Sequence, residues 1–374
     1  MRRELLKEFL LEKEKILVNT KNTLFSSKVL ENFDYFKDVY IINSLKDYAS
    51  FINLLILDYY WVKENEDSKN RIQVREKYIF RGFSNFEQLK PTIMRKKSLL
   101  GKEFIYIKKF EENACMKLGQ FNNPIDLAAA AQHFGTKTRL LDWSYSPLIA
   151  TLFSLYEVSE HNDYYGLLIK NTRDIVIVES LIDEEKTNYE SLSYKYANMM
   201  NYYDKIKDIR QTVLNDANIG DVKFEMYKDV IFNYFYEIVK KTNIIFDKKV
   251  IREKAILLTK KFMKNDSNLF IKTNFSNERL KNQRGLFEVI DIHSTDGEYL
   301  KTELRNSILL VIPLNVRREI IKYINNLGIN YYTIIDDPQN CSEMINRTID
   351  GSLSFESNIE YIKKWSISNF YFIL

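Results

Sequence analysis

The scarcity of helix-breaking residues constrains this chain most. Its 374 residues include 10 glycines and 5 prolines, far below the average shares of about 7% and 5%. No proline occurs between Pro147 and Pro313, and residues 181–264 contain one glycine, Gly220. Because glycine and proline are the residues that most disfavour helices, this region is predicted to form several long helices.

Short aromatic and β-branched segments on both sides of that region predict strands. The strands are predicted at residues 77–81, 138–143, 164–170, 174–179, 269–273, 285–290 and 308–312. Apolar residues at helical spacing predict further helices at residues 44–61, 99–119, 124–134, 147–156 and 315–326. The pattern indicates an α+β fold with a mixed sheet, a long helical insertion and an N-terminal helical arm.

Four parts follow from these patterns: a helical arm at residues 1–36, a first part of the core at 37–170, the helical insertion at 171–270, and a second part of the core at 271–374. The insertion is expected to be a packed helical subdomain. A substrate lid, or a surface that binds a partner protein or a second copy of the chain, is the alternative.

Composition excludes several classes of site and partner. Basic residues number 55 and acidic residues 51, so net charge does not indicate a nucleic-acid partner. Cys115 and Cys341 are far apart and the three histidines are scattered, so no zinc signature occurs and no metal is expected. The start of the chain lacks the pattern of a secretory signal, and no apolar stretch reaches the length of a membrane span. A cytoplasmic protein with no membrane association is predicted.

Three short segments carry the strongest functional signal. They are Phe80-Arg81-Gly82, the run from Gln132 to Pro147 that contains QHFG and TRLLDW, and Gln283-Arg284-Gly285. On these motifs the sequence resembles the FRG domain family, over roughly residues 40–170 and 265–350. It departs from the family at Phe83, where a glutamine is common, and in the helical insertion.

The resemblance implies a bacterial setting in phage-related loci, with a role in anti-phage defence or as a toxin. A weaker resemblance is to ADP-ribosyltransferases, whose elements follow the same order along the chain. That resemblance implies NAD as a substrate. Arg81 would bind its phosphates or ribose, residues 144–146 would form the middle strand, and the late catalytic position would fall within residues 283–288. No E-x-E or Q-x-E sequence occurs there.

Candidate site residues follow from the motifs and from side-chain chemistry. Arg81 offers a planar donor beside Gly82, which suits an anion approaching the backbone. His133 precedes a helix-ending glycine, where the negative end of a helix favours its protonated form, so it could act as an acid or base. The catalytic candidates are Gln283, Glu288 and His133. The substrate-binding candidates are Arg81, Gly82, Gln132, Thr138, Arg139, Asp142, Ser144 and Arg284.

Each candidate also has a structural interpretation. Arg81 could brace an acidic side chain under the sheet, and Asp142 is more often a structural residue that caps a helix or holds Arg139. Glu288 would by default lie on the outward polar face of its strand, and Trp143 in the core. The basic residues at 240, 241, 248 and 249 are expected to form a solvated face.

Two other functions are compatible with the sequence. The first is a non-catalytic module that senses a nucleotide or a protein. A carboxylate within reach of the Arg81 pocket would favour the enzyme instead, because a glycosyl-transfer site nearly always uses one. The second is a metal-dependent nuclease, for which Asp336, Asp337 and Asp350 are the only late acidic clusters.

Overall fold

The structure is a computed structural model of the chain. It describes residues 38–57, 60–64, 72–118, 121, 124–156, 164–179, 191–215, 221–242, 248–264, 268–272, 283–291, 304, 307–330 and 334. The predicted N-terminal arm at residues 1–36 lies outside these ranges.

The described residues form ten strands and eight α-helices. The strands are β1 (Asp38–Ile41), β2 (Tyr60–Glu64), β3 (Ile72–Glu76), β4 (Tyr78–Phe83), β5 (Leu140–Ser144), β6 (Tyr164–Asn171), β7 (Val176–Glu179), β8 (Leu269–Lys272), β9 (Gly285–Val289) and β10 (Ile308–Pro313). The helices are α1 (Leu45–Leu57), α2 (Glu103–Leu118), α3 (Pro124–His133), α4 (Pro147–Tyr156), α5 (Leu192–Asn215), α6 (Asp221–Thr242), α7 (Lys248–Lys264) and α8 (Leu314–Asn326).

Eight of the strands form one mixed sheet in the order β1-β10-β6-β4-β5-β9-β8-β7. The pairs β1–β10 and β7–β8 are parallel, and the other pairs are antiparallel. The prediction of an α+β fold with a mixed sheet is confirmed.

The long helices all pack on one face of the sheet, in two groups. Residues directly opposite each other in an antiparallel pair share a face, so the pairs Phe80–Ser144 and Asp142–Phe287 place Phe80 and Phe287 on the same face. Phe80 belongs to the core formed with α1, α4 and α8. Phe287 belongs to the core formed with α2, α3, α5, α6 and α7. The two groups of helices therefore meet above the middle of the sheet, at β4 and β5.

The predicted helical insertion contains three long helices, α5, α6 and α7. The strands on either side of them, β7 and β8, pair with each other and extend the main sheet. The buried side chains of these helices, including Tyr203 and Phe235, share one core with Leu140 of β5 and Phe287 of β9. The helices therefore complete the core over the second half of the sheet.

Two local predictions differ from the structure. The helix predicted at residues 44–61 ends at Leu57, and Tyr60 and Trp61 instead begin β2. β2 pairs with β3 in a separate two-stranded sheet that was not predicted. Aromatic and β-branched residues favour strands, and pairing with β3 reinforces that preference here over the helical spacing of the apolar residues.

Helix α4 lies unusually close to the sheet. A Cβ atom at Gly82 would lie 1.9 Å from the Ala150 carbonyl oxygen of α4. At its other end, α4 accepts two hydrogen bonds at the Leu155 carbonyl from the buried Arg317 guanidinium of α8, at 2.9 and 2.6 Å. Burial lowers the pKa of Arg317. These contacts fix the position of α4 over β4.

Within the described part of the chain, no helix is both long enough and apolar enough to cross a membrane.

The close approach at Gly82 gives a stability prediction. Gly82→Ala is expected to lower the free energy of unfolding by about 3 kcal/mol or more, because α4 must move away from β4. The matched control is Gly101→Ala, where a Cβ meets nothing within 4 Å but φ is +77°, so the loss should be roughly 1–2 kcal/mol. Urea unfolding of both variants measures the difference, and equal losses would contradict the packing argument.

Candidate functional site

Strands β4 and β5 separate at the middle of the sheet. Their pairing consists of Phe80 opposite Ser144 alone. The guanidinium of Arg81 bridges the gap beyond this pair, because it donates hydrogen bonds to the Asp142 carbonyl of β5 and, at 2.7 Å, to the Gln88 carbonyl. Where β4 and β5 separate, the Arg81 side chain thus donates hydrogen bonds in place of the backbone N–H groups of a paired strand.

A cavity of about 310 Å³ lies at this opening, between the two groups of helices. Its walls come from β4 and β5, from the last turn of α3, from one face of α4, and from the start of β9. The lining residues are Phe80, Arg81, Gly82, Gln88, Arg95, Gln132, His133, Asp142, Trp143, Ser144, Ala150, Phe153, Tyr156, Gln283 and Phe287. All three sequence motifs therefore meet at one cavity.

Arg81 gives the cavity an uncompensated positive charge. It is only 9% exposed, and it forms no ion pair with any carboxylate in the described ranges. Its Nε atom is buried without a hydrogen-bond partner. Burial of a cation is costly unless an anion or enough hydrogen bonds offset the lost hydration. An anionic ligand would supply that compensation.

Asp142 is the one carboxylate among the described residues that line the cavity. Its side chain is exposed and accepts a 2.9 Å hydrogen bond from Nε2 of Gln132. The Thr138 hydroxyl donates to Oε1 of Gln132 and accepts the Leu140 N–H at 3.3 Å. This bond to Oε1 orients the amide so that its NH₂ group faces Asp142. The motif thus supplies both the carboxylate and the residues that hold it.

The turn after α3 brings Gln132 and His133 to the cavity. Gly135 has φ +85°, and the N–H groups of Gly135 and Thr136 bond to the carbonyls of Gln132 and Ala131 at 2.9 Å each. This is the Schellman arrangement that ends helices at a left-handed glycine. His133, the last residue of α3, lies edge-on to the Phe134 ring.

Ser144 connects β5 to the start of β9. Its hydroxyl donates to the Gln283 carbonyl at 2.6 Å and accepts the Ser146 N–H at 2.9 Å. Arg284 adopts a left-handed backbone conformation, with φ 48°, and its carbonyl accepts the Tyr145 N–H at 3.0 Å. These bonds hold Gln283 at the cavity wall.

Several lining residues were not among the sequence candidates. Phe153 and Tyr156 lie on the face of α4 that borders the cavity, Gln88 follows the turn after β4, and Phe287 lies on β9. The apolar spacing predicted helix α4, but nothing in the sequence indicated which of its residues would meet β5. Arg95 also lines the cavity and is a second cation there.

Arg139 does not line the cavity, which corrects its assignment to substrate binding. It is buried between α2 and α5, where it pairs with Glu103 at 2.6 Å and with Asp204 at 2.7 Å. The Tyr196 hydroxyl donates to Glu103 at 2.9 Å. Burial alone would lower the pKa of Arg139, but Glu103, Tyr196 and Asp204 outweigh it and raise that pKa. Arg139 and Asp142 therefore have separate partners.

Glu288 also lies away from the cavity, which corrects its assignment as a catalytic residue. Its neighbour Phe287 lines the cavity, and successive strand residues point to opposite faces. Glu288 is buried on the other face, where it accepts hydrogen bonds from Trp143 at 2.8 Å and Lys170 at 3.1 Å. The default expectation of an outward, solvated position was wrong as well. Trp143 is 3% exposed, in agreement with its structural interpretation.

Three other candidates have roles that differ from direct ligand contact. Thr138 is buried behind Gln132. The Arg284 side chain is exposed and pairs with Glu76 at 3.2 Å, outside the cavity. Gly82 borders the cavity, but the space that a side chain would take there is filled by α4, so the glycine serves the packing of α4 against β4.

The residues proposed for a nuclease, Asp336, Asp337 and Asp350, lie outside the described residues. Among those that are described, no group of three or more His, Cys, Asp or Glu side chains is placed to hold a metal ion.

Residues 76–163 match the family model of the FRG domain. This range contains β4, β5, α3 and α4, which form most of the cavity. No curated protein matches the chain, and no solved structure matches it.

The buried cluster around Arg139 gives a second stability prediction. Arg139→Met is expected to cost about 3–5 kcal/mol at neutral pH, because Glu103 and Asp204 would be left buried without their cation.

The matched control for this prediction is Lys109→Met, which breaks the exposed Lys109–Glu112 pair of α2 and should cost less than about 1 kcal/mol. Urea unfolding at neutral pH measures the two losses. A loss for Arg139→Met as small as that of the control would show that the buried cluster does not stabilise the fold.

Proposed function

We propose that this chain, which carries an FRG domain over residues 76–163, binds a nucleotide in the cavity and breaks its glycosidic bond, with NAD as the substrate. The products would be free nicotinamide and an ADP-ribosyl group transferred to a target or to water. The proposal rests on two features of the same cavity. Arg81 is buried and pairs with no described carboxylate, and Asp142 is a single carboxylate oriented by Gln132.

The carboxylate suits the chemistry of glycosidic bonds. When the bond between ribose C1′ and the nicotinamide nitrogen breaks, the nicotinamide leaves with the electron pair and the ribose becomes oxocarbenium-like. A carboxylate beside the ring stabilises this charge. An oxygen of water or of the target then bonds to C1′, and Asp142 accepts the proton that this oxygen loses.

The other walls suit the remaining parts of a dinucleotide. Arg81 and Arg95 offer cations for phosphate oxygens, and Phe153 and Tyr156 offer rings against which a base can pack. The cavity volume of about 310 Å³ is at the lower end of the usual range for ligand pockets. It fits one nucleoside half of the substrate, with the other half extending toward solvent.

A second candidate function is a non-catalytic nucleotide sensor. It is favoured by the contacts of Arg81, whose two terminal nitrogens already donate to the carbonyls of Asp142 and Gln88. An anion that recruits these donors would release β5 from β4. Binding would then change the structure without any chemistry, and the released strand would signal to a partner.

The proposed setting is the bacterial cytoplasm, in defence against phage or as a toxin that depletes NAD or modifies a cellular target. A partner protein or a second copy of the chain could bind through the helices of residues 192–264. No metal takes part in the proposed reaction.

Replacement of Asp142 tests the enzyme. Asp142→Asn keeps the size and the bond to Gln132 but removes the negative charge, so nicotinamide release from NAD should fall about 10²–10⁴-fold. The matched control is Asp174→Asn, an exposed carboxylate outside the cavity, which should keep full activity. Chromatography of released nicotinamide measures both, and calorimetric titration with NAD measures binding separately.

The outcomes separate the two candidates. Binding of NAD by the wild type without nicotinamide release would favour the sensor, and loss of release only in Asp142→Asn would support the enzyme. The proposal fails if the wild type neither binds nor cleaves NAD, or if Asp142→Asn cleaves it at the wild-type rate.

Expression in bacteria tests the setting. The wild type is expected to arrest growth and lower cellular NAD, constitutively or on phage infection, while a folded Asp142→Asn variant should do neither. Optical density and total NAD, followed together with and without phage, measure this. Normal growth and unchanged NAD in infected and uninfected cells would contradict the defence and toxin role.

A further inference from the structure

Helix α7 concentrates positive charge. Its 17 residues, KKVIREKAILLTKKFMK, include seven basic residues and one acidic residue, a net charge of +6. The net charge of the whole chain is +4. The net charge of this one helix thus exceeds that of the whole chain, a local excess that the balanced composition conceals.

Four basic side chains of α7 are exposed beside its buried face. Ile251, Ala255 and Phe262 are buried against the core. Lys248, Lys249, Arg252 and Lys260 are exposed. The four positions fall within a sector of about 120° at 100° per residue, and from Lys248 to Lys260 they extend about 18 Å at a rise of 1.5 Å per residue. We call these four residues the α7 cation stripe.

The cation stripe has one acidic neighbour on its own helix, the exposed Glu253, and within the described residues it lacks ion pairs of the kind found on the adjacent helix. On α6, Lys228 pairs with Glu225 at 2.9 Å and Lys240 with Glu237 at 3.6 Å. None of the four stripe residues makes an ion pair with a described carboxylate. The exposed cations of α6 are therefore partly neutralised by ion pairs, whereas the four stripe cations share a single acidic neighbour on their helix.

The first turn of α7 makes a purely structural role for the stripe less favourable. It contains Lys248 and Lys249 and no acidic residue. The N-terminus of a helix carries a partial positive charge, so two lysines there destabilise the helix by a few tenths of a kcal/mol each. Lysines at these positions lower the stability of the helix, and no ion pair within the described chain offsets that loss.

We propose that the α7 cation stripe binds the phosphate backbone of double-stranded nucleic acid without reading its sequence. Phosphates of a duplex provide one negative charge per about 1.7 Å of helix axis, so an 18 Å row of cations can contact several of them. A membrane-surface helix must insert its apolar face among the lipids. Most apolar residues of α7 face the protein, and Ile256 and Leu257 are its only exposed large ones, too few to form a face that inserts among lipids, so phosphate contact is the role that the exposed cations fit better.

The stripe is separate from the cavity, since none of its four residues lines it. The proposal therefore does not depend on the proposed activity. An Asp142→Asn protein should bind nucleic acid as the wild type does.

Salt-dependent binding tests the stripe. A fluorescent 20-base-pair DNA duplex of arbitrary sequence is titrated with the full chain between about 50 and 200 mM salt, with anisotropy as the readout. Four phosphate contacts predict a slope of about −3 to −4 in the plot of log K against log salt concentration. Lys249→Gln/Arg252→Gln should lower affinity about tenfold or more near 100 mM salt and make the slope less steep by about 2.

The matched control removes the same charge elsewhere. Lys228→Gln/Lys240→Gln on α6 changes net charge equally but affects cations that are paired, so affinity and slope should stay near the wild type. Equal losses in the two double variants would overturn the proposal, because binding would then depend on overall charge alone. Lys248→Gln/Lys260→Gln gives a second test if circular dichroism shows that the first stripe variant is not folded.

Two other polyanions, an anionic membrane and an acidic peptide, are tested as alternative partners. Vesicles containing about 30% phosphatidylserine and a poly-glutamate peptide are titrated under the same conditions. Tighter binding to either than to the duplex, or no binding to the duplex at 50 mM salt, would also overturn the proposal.

Discussion

The site depends on a break in the pairing of β4 and β5. A fully hydrogen-bonded sheet has no room for a ligand within its plane. Here the ladder is reduced to one residue pair, Phe80 with Ser144, and the Arg81 guanidinium takes over as donor to the carbonyls of Asp142 and Gln88. Backbone carbonyls normally find their partners within the sheet. A charged side chain that satisfies them instead keeps the strands apart and leaves its own charge at the base of the cavity.

The surrounding structure holds this opening from both sides. On one side, α4 is fixed by its contact with Gly82 and by the bonds from Arg317 to its last turn. On the other side, the ion cluster of Arg139, Glu103 and Asp204 ties β5 to α2 and α5. A third buried pair, Glu288 with Lys170, supports Trp143 from the opposite face. In the TRLLDW run, Thr138, Arg139 and Asp142 were candidates for ligand contact. Thr138 and Arg139 instead help to hold the segment that presents Asp142.

The sequence predicted much of the fold and about half of the residues that line the cavity. The strand segments and helices were visible from residue type and spacing, because burial on one face imposes a period on the chain. Arg81, Gln132, His133, Asp142, Ser144 and Gln283 were identified and do meet at the cavity. Arg139 and Glu288 were misplaced for a common reason. The identity of a charged residue in a motif does not show whether its side chain faces a ligand or a buried counter-ion. The counter-ions here, Asp204 and Lys170, are 65 and 118 residues away in the sequence.

By itself, the sequence determined the local structure: where helices can run without glycine or proline, where strands lie, and which residues form the motif that a family model matches over residues 76–163. Only the tertiary structure decided which side chains face each other. The register of β5 against β9 turns Phe287 toward the cavity and Glu288 away from it. The packing of α7 buries Ile251, Ala255 and Phe262 and leaves the four cations of its stripe exposed. Residue type and spacing are properties of the chain, but the face that a side chain presents, and the charge that it meets there, depend on strand pairing and helix packing between residues far apart in sequence.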